Sequence, residues 1–363
     1  MSLVDLATSL IAIPSHESPA AAGDAIEEWL RSETDAALRR DDIGNVIATR
    51  GTGPLDLALV GHHDVVPPAP RQLSGGEYVV ERRDGRISGR GSADMKGALA
   101  AAMIAFRDAD PAGTLGFASF VGEETGGTGA RHAIEEGYRP TTAIVAEGST
   151  GYSASDVTDV VVAHNGRRQT RLVATGSAAH ASEPDAGENA IYLAADAIGR
   201  LRSFDWPSIE VAGEPLSGSV VATKIHGGTA ENVIPDRCTV IVDERTVPGD
   251  AAIPMASLAK LPGIDLAVDR ETPPMRCSDA VFAGRALEAA AEVQSGSPRH
   301  VTKPHATDAG RLHAAGTACV VIGASEPGQA HTDTESVSID AIERCERIYR
   351  AIAERWPATS QHV

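Results

Sequence analysis

Leu57-Ala58-Leu59-Val60-Gly61-His62-His63-Asp64 is a short apolar run that ends on two imidazoles and a carboxylate. The run is too short for a helix and reads as a buried strand with polar chemistry at its carboxyl end. The same layout recurs along the chain. Residues 115–121 are an apolar run followed by Gly122-Glu123-Glu124, and residues 143–146 are followed by Glu147. Past the apolar run 318–322, an eight-residue loop from Gly323 to Ala330 leads to His331. One more acid, Asp94, lies in Gly89-Arg90-Gly91-Ser92-Ala93-Asp94-Met95-Lys96-Gly97, just before the helical run 98–106. In a parallel α/β sheet the carboxyl ends of the strands share one edge, where ligands bind. The pattern therefore gathers these scattered residues on a single edge.

Around these runs, helical stretches at 5–13 and 25–38 alternate with short apolar strands, the signature of an α/β domain with a mostly parallel sheet. The texture changes in the middle. Residues 168–175 alternate polar and apolar, 189–201 are helical, and 219–225 and 238–245 read as strands joined through Gly227-Gly228. A helix at 255–261 and a strand at 264–268 complete a compact α+β unit. The expected organisation is a discontinuous catalytic domain, 1–164 and 276–363, carrying an inserted domain at 165–275.

Composition narrows the field. The chain has 363 residues, with 50 Asp plus Glu against 32 Lys plus Arg and a formal net charge of −18. Only Lys96, Lys224, Lys260 and Lys303 are lysines. Such a surface repels nucleic acid and anionic lipid, so neither is expected as a partner. It suits a salt-rich cytoplasm, where screening removes the self-repulsion; a GC-rich genome favouring Arg over Lys is the alternative. Cys238, Cys277, Cys319 and Cys345 form no CxxC pair and read as idle thiols of a reducing compartment. No apolar run approaches the ~20 residues of a membrane span. Residues 1–13 lack the basic start of a secretion leader, so the protein is expected in the cytoplasm.

Clustered carboxylates beside imidazoles repel one another or take up protons unless a cation neutralises them. Mixed His and Asp/Glu donors without thiolate suit zinc, cobalt or manganese. One carboxylate can bridge two ions, which leaves a spare acid to act on a water. Singly, each residue has an ordinary structural task available; their joint placement is what points to metal. The competing signatures are absent: no G-x-S-x-G elbow, no phosphate loop and no dinucleotide fingerprint occur.

Gly61-His62-His63-Asp64-Val65-Val66-Pro67, the 89–97 stretch and Gly122-Glu123-Glu124 together resemble the zinc-dependent aminoacylase family, which includes succinyl-diaminopimelate desuccinylase, acetylornithine deacetylase and glutamate-type carboxypeptidases. The resemblance covers nearly the whole chain. It implies a dinuclear catalytic domain and an inserted ferredoxin-like lid through which the protein forms a homodimer. By that resemblance His62, Asp94 and Glu147 hold one divalent ion, zinc with cobalt as the alternative, and Asp94, Glu124 and His331 hold a second. Asp64 would steady the His62 imidazole, Glu123 would be the general base, and the peptide bond after Asp94 would be cis. In the insert, Gly176-Ser177-Ala178-Ala179-His180 matches a lid motif whose His stabilises the oxyanion in a neighbouring subunit's site. Asn232 and Arg245 would bind substrate, and Thr307, in a looser match, would join them.

The implied reaction is hydrolysis of a small-molecule N-acyl amino acid, an N-acyl diamino acid before a dipeptide, with a dipeptidase or carboxypeptidase as the alternative. A non-catalytic metal-binding relative would have no use for Glu123. Residues 68–88 lack the Trp and Pro-Phe of the family pattern, and Gly148 stands where a proline is common after Glu147. These departures leave the substrate open.

Overall fold

The apolar run ahead of His63 and Asp64 is a strand, Leu57–His62, buried at every residue. Burial of consecutive rather than alternate residues marks a strand covered on both faces. It lies parallel to Leu115–Phe120 on one side and to Thr142–Val145 on the other, and Thr142–Val145 lies parallel to Ala318–Val321. The register aligns the carboxyl ends: His62 is opposite Phe120, Val60 opposite Val145, and Val145 opposite Val321. The parallel centre is flanked by antiparallel strands in a nine-stranded mixed sheet.

The computed structural model describes residues 1–249 and 251–357. Among the described residues two compact units emerge: Met1–Ala163 with Met275–Thr302 and residues 307–357, and His164–Pro274 with Lys303–Ala306. In the first unit, helix Gly97–Asp108 is buried from Gly97 through Phe106. Its alanines let helices Leu3–Ala12 and Ile339–Ala353 pack against it. The α/β class with a mostly parallel central sheet is therefore present.

The helix expected over 25–38 is displaced. It runs Ala20–Glu33, and Ala37–Arg40 is instead an edge strand paired with Val46–Arg50. Thr34 turns extended at φ −138°, and its hydroxyl donates to the Leu30 carbonyl at 2.6 Å, closing the helix. Arg40 then turns back to Asp24 at 2.6 Å.

The second unit is a four-stranded antiparallel sheet in the order Ser219–Gly227, Arg237–Thr246, Gly166–Thr175, Ile264–Thr272. Helix Ala190–Leu201 covers one face, its start capped by Asn189, whose side chain accepts from Ile191 N at 2.9 Å. Leu172, Ala194, Ala197, Val240, Val242 and Leu258 belong to its core. The helix expected at 255–261 is a short 3₁₀ stretch, Met255–Lys260. Leu261 precedes Pro262 and is extended (ψ 146°), the conformation that a following proline favours.

A hairpin, Ser208–Val211 with Glu214–Ser217, carries no sequence signal of the usual kind. Its two-residue turn places both Ala212 (φ 55°) and Gly213 (φ 81°) in the left-handed region, without the Asn or Asp that advertises such turns. Among the described residues no helix is long and apolar enough to cross a membrane.

Candidate metal centre

His62 ends its strand at the sheet's carboxyl edge. Its Nδ1 donates to the backbone carbonyl of Asp64 at 2.9 Å, which leaves Nε2 as the free ligand atom. That Nε2 is 3.0 Å from Asp94 Oδ1 and 3.4 Å from Glu147 Oε1. The other oxygen of Asp94, Oδ2, is 3.2 Å from His331 Nε2, which is 3.1 Å from Glu124 Oε1. Asp94 thus offers one oxygen to each of two trios, and within each trio the donor atoms lie within 4.8 Å of one another.

Local backbone explains how Asp94 gets there. Gly91 sits at φ 82°, and Asp94 and Met95 leave helical geometry inside the Ser92–Lys96 turn. The Asp94–Met95 peptide bond is cis. His331 is itself left-handed at φ 64°.

A third trio, Asp41, Asp42 and His132, also gathers. There Asp41 already accepts from Gly44 N, Asn45 N and Asn45 Nδ2, so its carboxylate has a structural task.

The charges at the main site call for a cation. Burial opposes protonation of His62, yet Asp64, Asp94 and Glu147 outweigh it and hold the imidazole well above its ordinary pKa. Hydrogen bonds to Asp94 and Glu124 lift His331 to about 10 against the opposing effect of burial. Burial would raise Asp94, but His331 and His62 carry it far below the usual carboxylate range. Divalent cations would meet the same demand with neutral imidazoles and ionised carboxylates. The donor set, two imidazoles and three carboxylates sharing Asp94, fits two such ions.

Asp64 does more than face the imidazole. Its Oδ1 lies 3.6 Å from His62 Nδ1 and accepts from Glu123 N at 3.2 Å, and its Oδ2 accepts from Glu124 N at 3.1 Å. It therefore holds the loop that carries both glutamates. No described residue donates to the Glu123 carboxylate. Burial pushes that acid well above its ordinary value, with Asp308, Glu147 and Glu124 adding to the rise and His62 opposing it.

Two buried acids went unassigned in the sequence. Asp308, next to Thr307, starts helix Asp308–Ala314 and is lifted by burial to about 7. Its neighbour Arg311 donates to Gly126 O at 2.7 Å, on the loop after Glu123 and Glu124. Glu335 binds the backbone of the Asp94 turn. It follows His331 by four positions, with no strand or ligand spacing to mark it.

Thr307 is buried, and its hydroxyl caps the same helix by accepting from Ala309 N at 3.2 Å. His180, Asn232 and Arg245 belong to the second unit. His180 pairs with Val233 in a short ladder, next to Asn232. His180 Nδ1 accepts from Ser182 N at 3.2 Å, so a neutral ring carries its proton on Nε2. Arg245 lies at the opposite end of strand Arg237–Thr246, its Nε donating to Asp243 Oδ1 at 2.8 Å. Eight residues of extended chain put Arg245 roughly 26 Å from Arg237, the end near which His180 and Asn232 lie.

A carboxylate- and imidazole-lined sheet edge with room for two ions defines a metal-dependent hydrolytic class. Residues 58–355 match the family model for peptidase family M20/M25/M40, and the chain belongs to that family. It is a metallohydrolase. It is 30% identical over 336 residues to a succinyl-diaminopimelate desuccinylase from Stenotrophomonas maltophilia, covering 88% of each chain. The aminopeptidase PepT structure from Bacillus cereus superposes with a TM-score of 0.78 at 21% identity, over 97% of both chains. A dinuclear metal-binding M20 peptidase from Bacillus subtilis gives a TM-score of 0.73 at 17% identity, over 97% of this chain and 96% of that one.

Proposed function

We propose that the protein hydrolyses the amide bond of N-acyl diamino acids, N-succinyl-diaminopimelate or N-acetylornithine, releasing a carboxylic acid and a free amine. The observation that carries the reaction type is a Glu123 carboxylate without a hydrogen-bond donor, beside two donor trios that share Asp94. The acylated substrate is favoured by the likeness to a succinyl-diaminopimelate desuccinylase over most of both chains.

His62, Asp94 and Glu147 would hold one divalent cation, and Asp94, Glu124 and His331 a second. Zinc is the first choice and cobalt the alternative. Bound there, the ions would supply Lewis acidity, lowering the pKa of a water and polarising the acyl carbonyl.

The chain's own residues do the rest. The Asp64 carbonyl fixes the His62 tautomer, and the Asp64 carboxylate fixes the backbone that carries Glu123 and Glu124. Glu123, its proton affinity raised by burial, takes a proton from water as the water oxygen joins the acyl carbon. It returns that proton to the amine nitrogen as the C–N bond breaks. His180 Nε2–H is a donor for the acyl oxygen where negative charge develops, and Arg245 and Asn232 bind the substrate's carboxylate and polar groups.

The span between His180 and Arg245 exceeds the reach of one small substrate, since two extended residues cover only about 7 Å. That supports an arrangement in which the two come from different copies of a homodimer. Amine release from N-succinyl-diaminopimelate tests the central role. Glu123→Gln should lower kcat by about 10²–10⁴-fold while metal content stays unchanged. Near-normal turnover by that variant would remove the general base from the mechanism.

A further inference from the structure

Glu335 makes an unusual set of contacts for a residue outside the donor trios. Its Oε1 accepts from Ala93 N at 2.9 Å and from Asp94 N at 3.1 Å. Its Oε2 accepts from Arg90 Nη1 at 2.6 Å, and its backbone carbonyl accepts from Gly89 N at 3.1 Å. One residue therefore ties positions 89, 90, 93 and 94. The Glu335 side chain is 0% exposed and that of Arg90 4%, so the pair holds its geometry without competition from water.

Glu335 is itself anchored. The next residues, Ser336–Ser338, form a strand with Arg86–Ser88. Four positions earlier on the same segment stands His331, whose Nε2 meets Asp94 Oδ2 and Glu124 Oε1.

We propose that Glu335 is a positioning residue for the bridging aspartate, and that it sets the affinity of the Asp94–Glu124–His331 position more than that of the His62–Asp94–Glu147 position. The proposal rests on reading Asp94 as the ligand common to two cations. The asymmetry follows from the anchoring. Two of three donors in the His331 trio, Asp94 and His331, sit on segments that Glu335 joins. In the other trio only Asp94 does, because His62 and Glu147 are held at the ends of central sheet strands. Loosening Asp94 against His331 opens one trio on two sides and the other on one.

The test is cobalt titration of the full-length protein after chelator treatment and removal of the chelator, followed by the visible absorption of bound Co²⁺ and by competition with a chelating dye. Wild type should take up two equivalents. Glu335→Ala should leave the first equivalent nearly as tight and weaken the second by 10–100-fold, the usual cost of losing a residue that orients a ligand.

Glu335→Gln keeps an acceptor for Ala93 N and Asp94 N, and should fold where the alanine variant does not. It should show the same asymmetry, smaller in size. A purely structural Glu335 would lower the melting temperature and leave both cobalt affinities and the spectrum as in wild type, which would overturn the proposal. Equal weakening of both equivalents would overturn it too. Asp94→Asn separates the premise from the proposal. If that variant still binds two equivalents with wild-type affinity, the ligand reading fails. If it loses binding while Glu335→Gln and Glu335→Ala titrate as wild type, only the positioning role fails.

Discussion

Asp64→Asn is the sharpest perturbation of the site that leaves every proposed metal donor in place. The wild-type carboxylate is buried and accepts two backbone hydrogen bonds, from Glu123 N at 3.2 Å and Glu124 N at 3.1 Å. Burial raises its pKa, but the hydrogen bond and charge of His62 hold the acid below its ordinary value, so it is ionised at neutral pH. Asparagine keeps the shape and one acceptor; its NH₂ group then faces the second N–H. The loss is one hydrogen bond to a charged acceptor, about 1.5–3 kcal/mol, with a buried donor left unpaired. For a unit of this size, where each kcal/mol shifts the midpoint by about 2–4 °C, that corresponds to a fall in melting temperature of about 3–12 °C.

Because the displaced N–H groups belong to the proposed base and a proposed ligand, catalysis should suffer as well. A shift of about 1 Å at a reacting group costs on the order of 100-fold. Thermal unfolding in excess chelator isolates the first effect from metal binding, and amine release by refilled protein measures the second. A chelated melting temperature within about 1 °C of wild type, together with unchanged kcat/KM, would refute the reasoning.

Other predictions bear on different parts of the account. Burial raises the folded pKa of Asp308 to about 7, from an ordinary value of 3.8. The folded state then binds the extra proton between these values, so this group's contribution to stability is lost as pH rises from 4 to 7. Asp308→Asn should flatten that fall and leave the chelated protein more stable than wild type at pH 8; a parallel stability–pH curve would contradict it. Glu123→Gln and His180→Ala proteins, each inactive alone, should regain activity when unfolded and refolded together, because a mixed dimer restores one intact site. Failure of the mixture, with mixed dimers demonstrated, would place His180 within its own protomer's site. The net charge of −18 predicts a melting temperature that climbs as salt shortens the screening length from about 10 Å at 0.1 M to about 3 Å at 1 M. A flat salt response would assign the Arg-for-Lys bias to genome composition.

The catalytic unit was legible because its chemistry follows the sheet. Strand ends at His62, Phe120 and Val145 are marked by apolar runs, and the register places them side by side. What the sequence withheld depends on contacts that no local pattern encodes. Glu335 meets Ala93 and Asp94 from more than 240 positions away. Asp64 was expected to steady an imidazole, and its carboxylate also holds the Glu123–Glu124 backbone. Ala37–Arg40 became a strand because Val46–Arg50 offered it a partner, a tertiary gain that outweighs local helix preference. The insert's strands were visible from their alternation. The hairpin at Ser208–Ser217 was hidden by a turn whose first left-handed residue is an alanine.

The central claim, a metal-dependent deacylase of N-acyl diamino acids, is tested most directly by one comparison. Zinc- or cobalt-filled protein in high salt is given N-succinyl-diaminopimelate, N-acetylornithine and a set of dipeptides in parallel, and amine release is followed. The account predicts the highest kcat/KM on an acylated diamino acid and little or none on dipeptides. Preference for dipeptides would move the protein to a peptidase role, and no release from any of them by fully metallated protein would contradict the account outright.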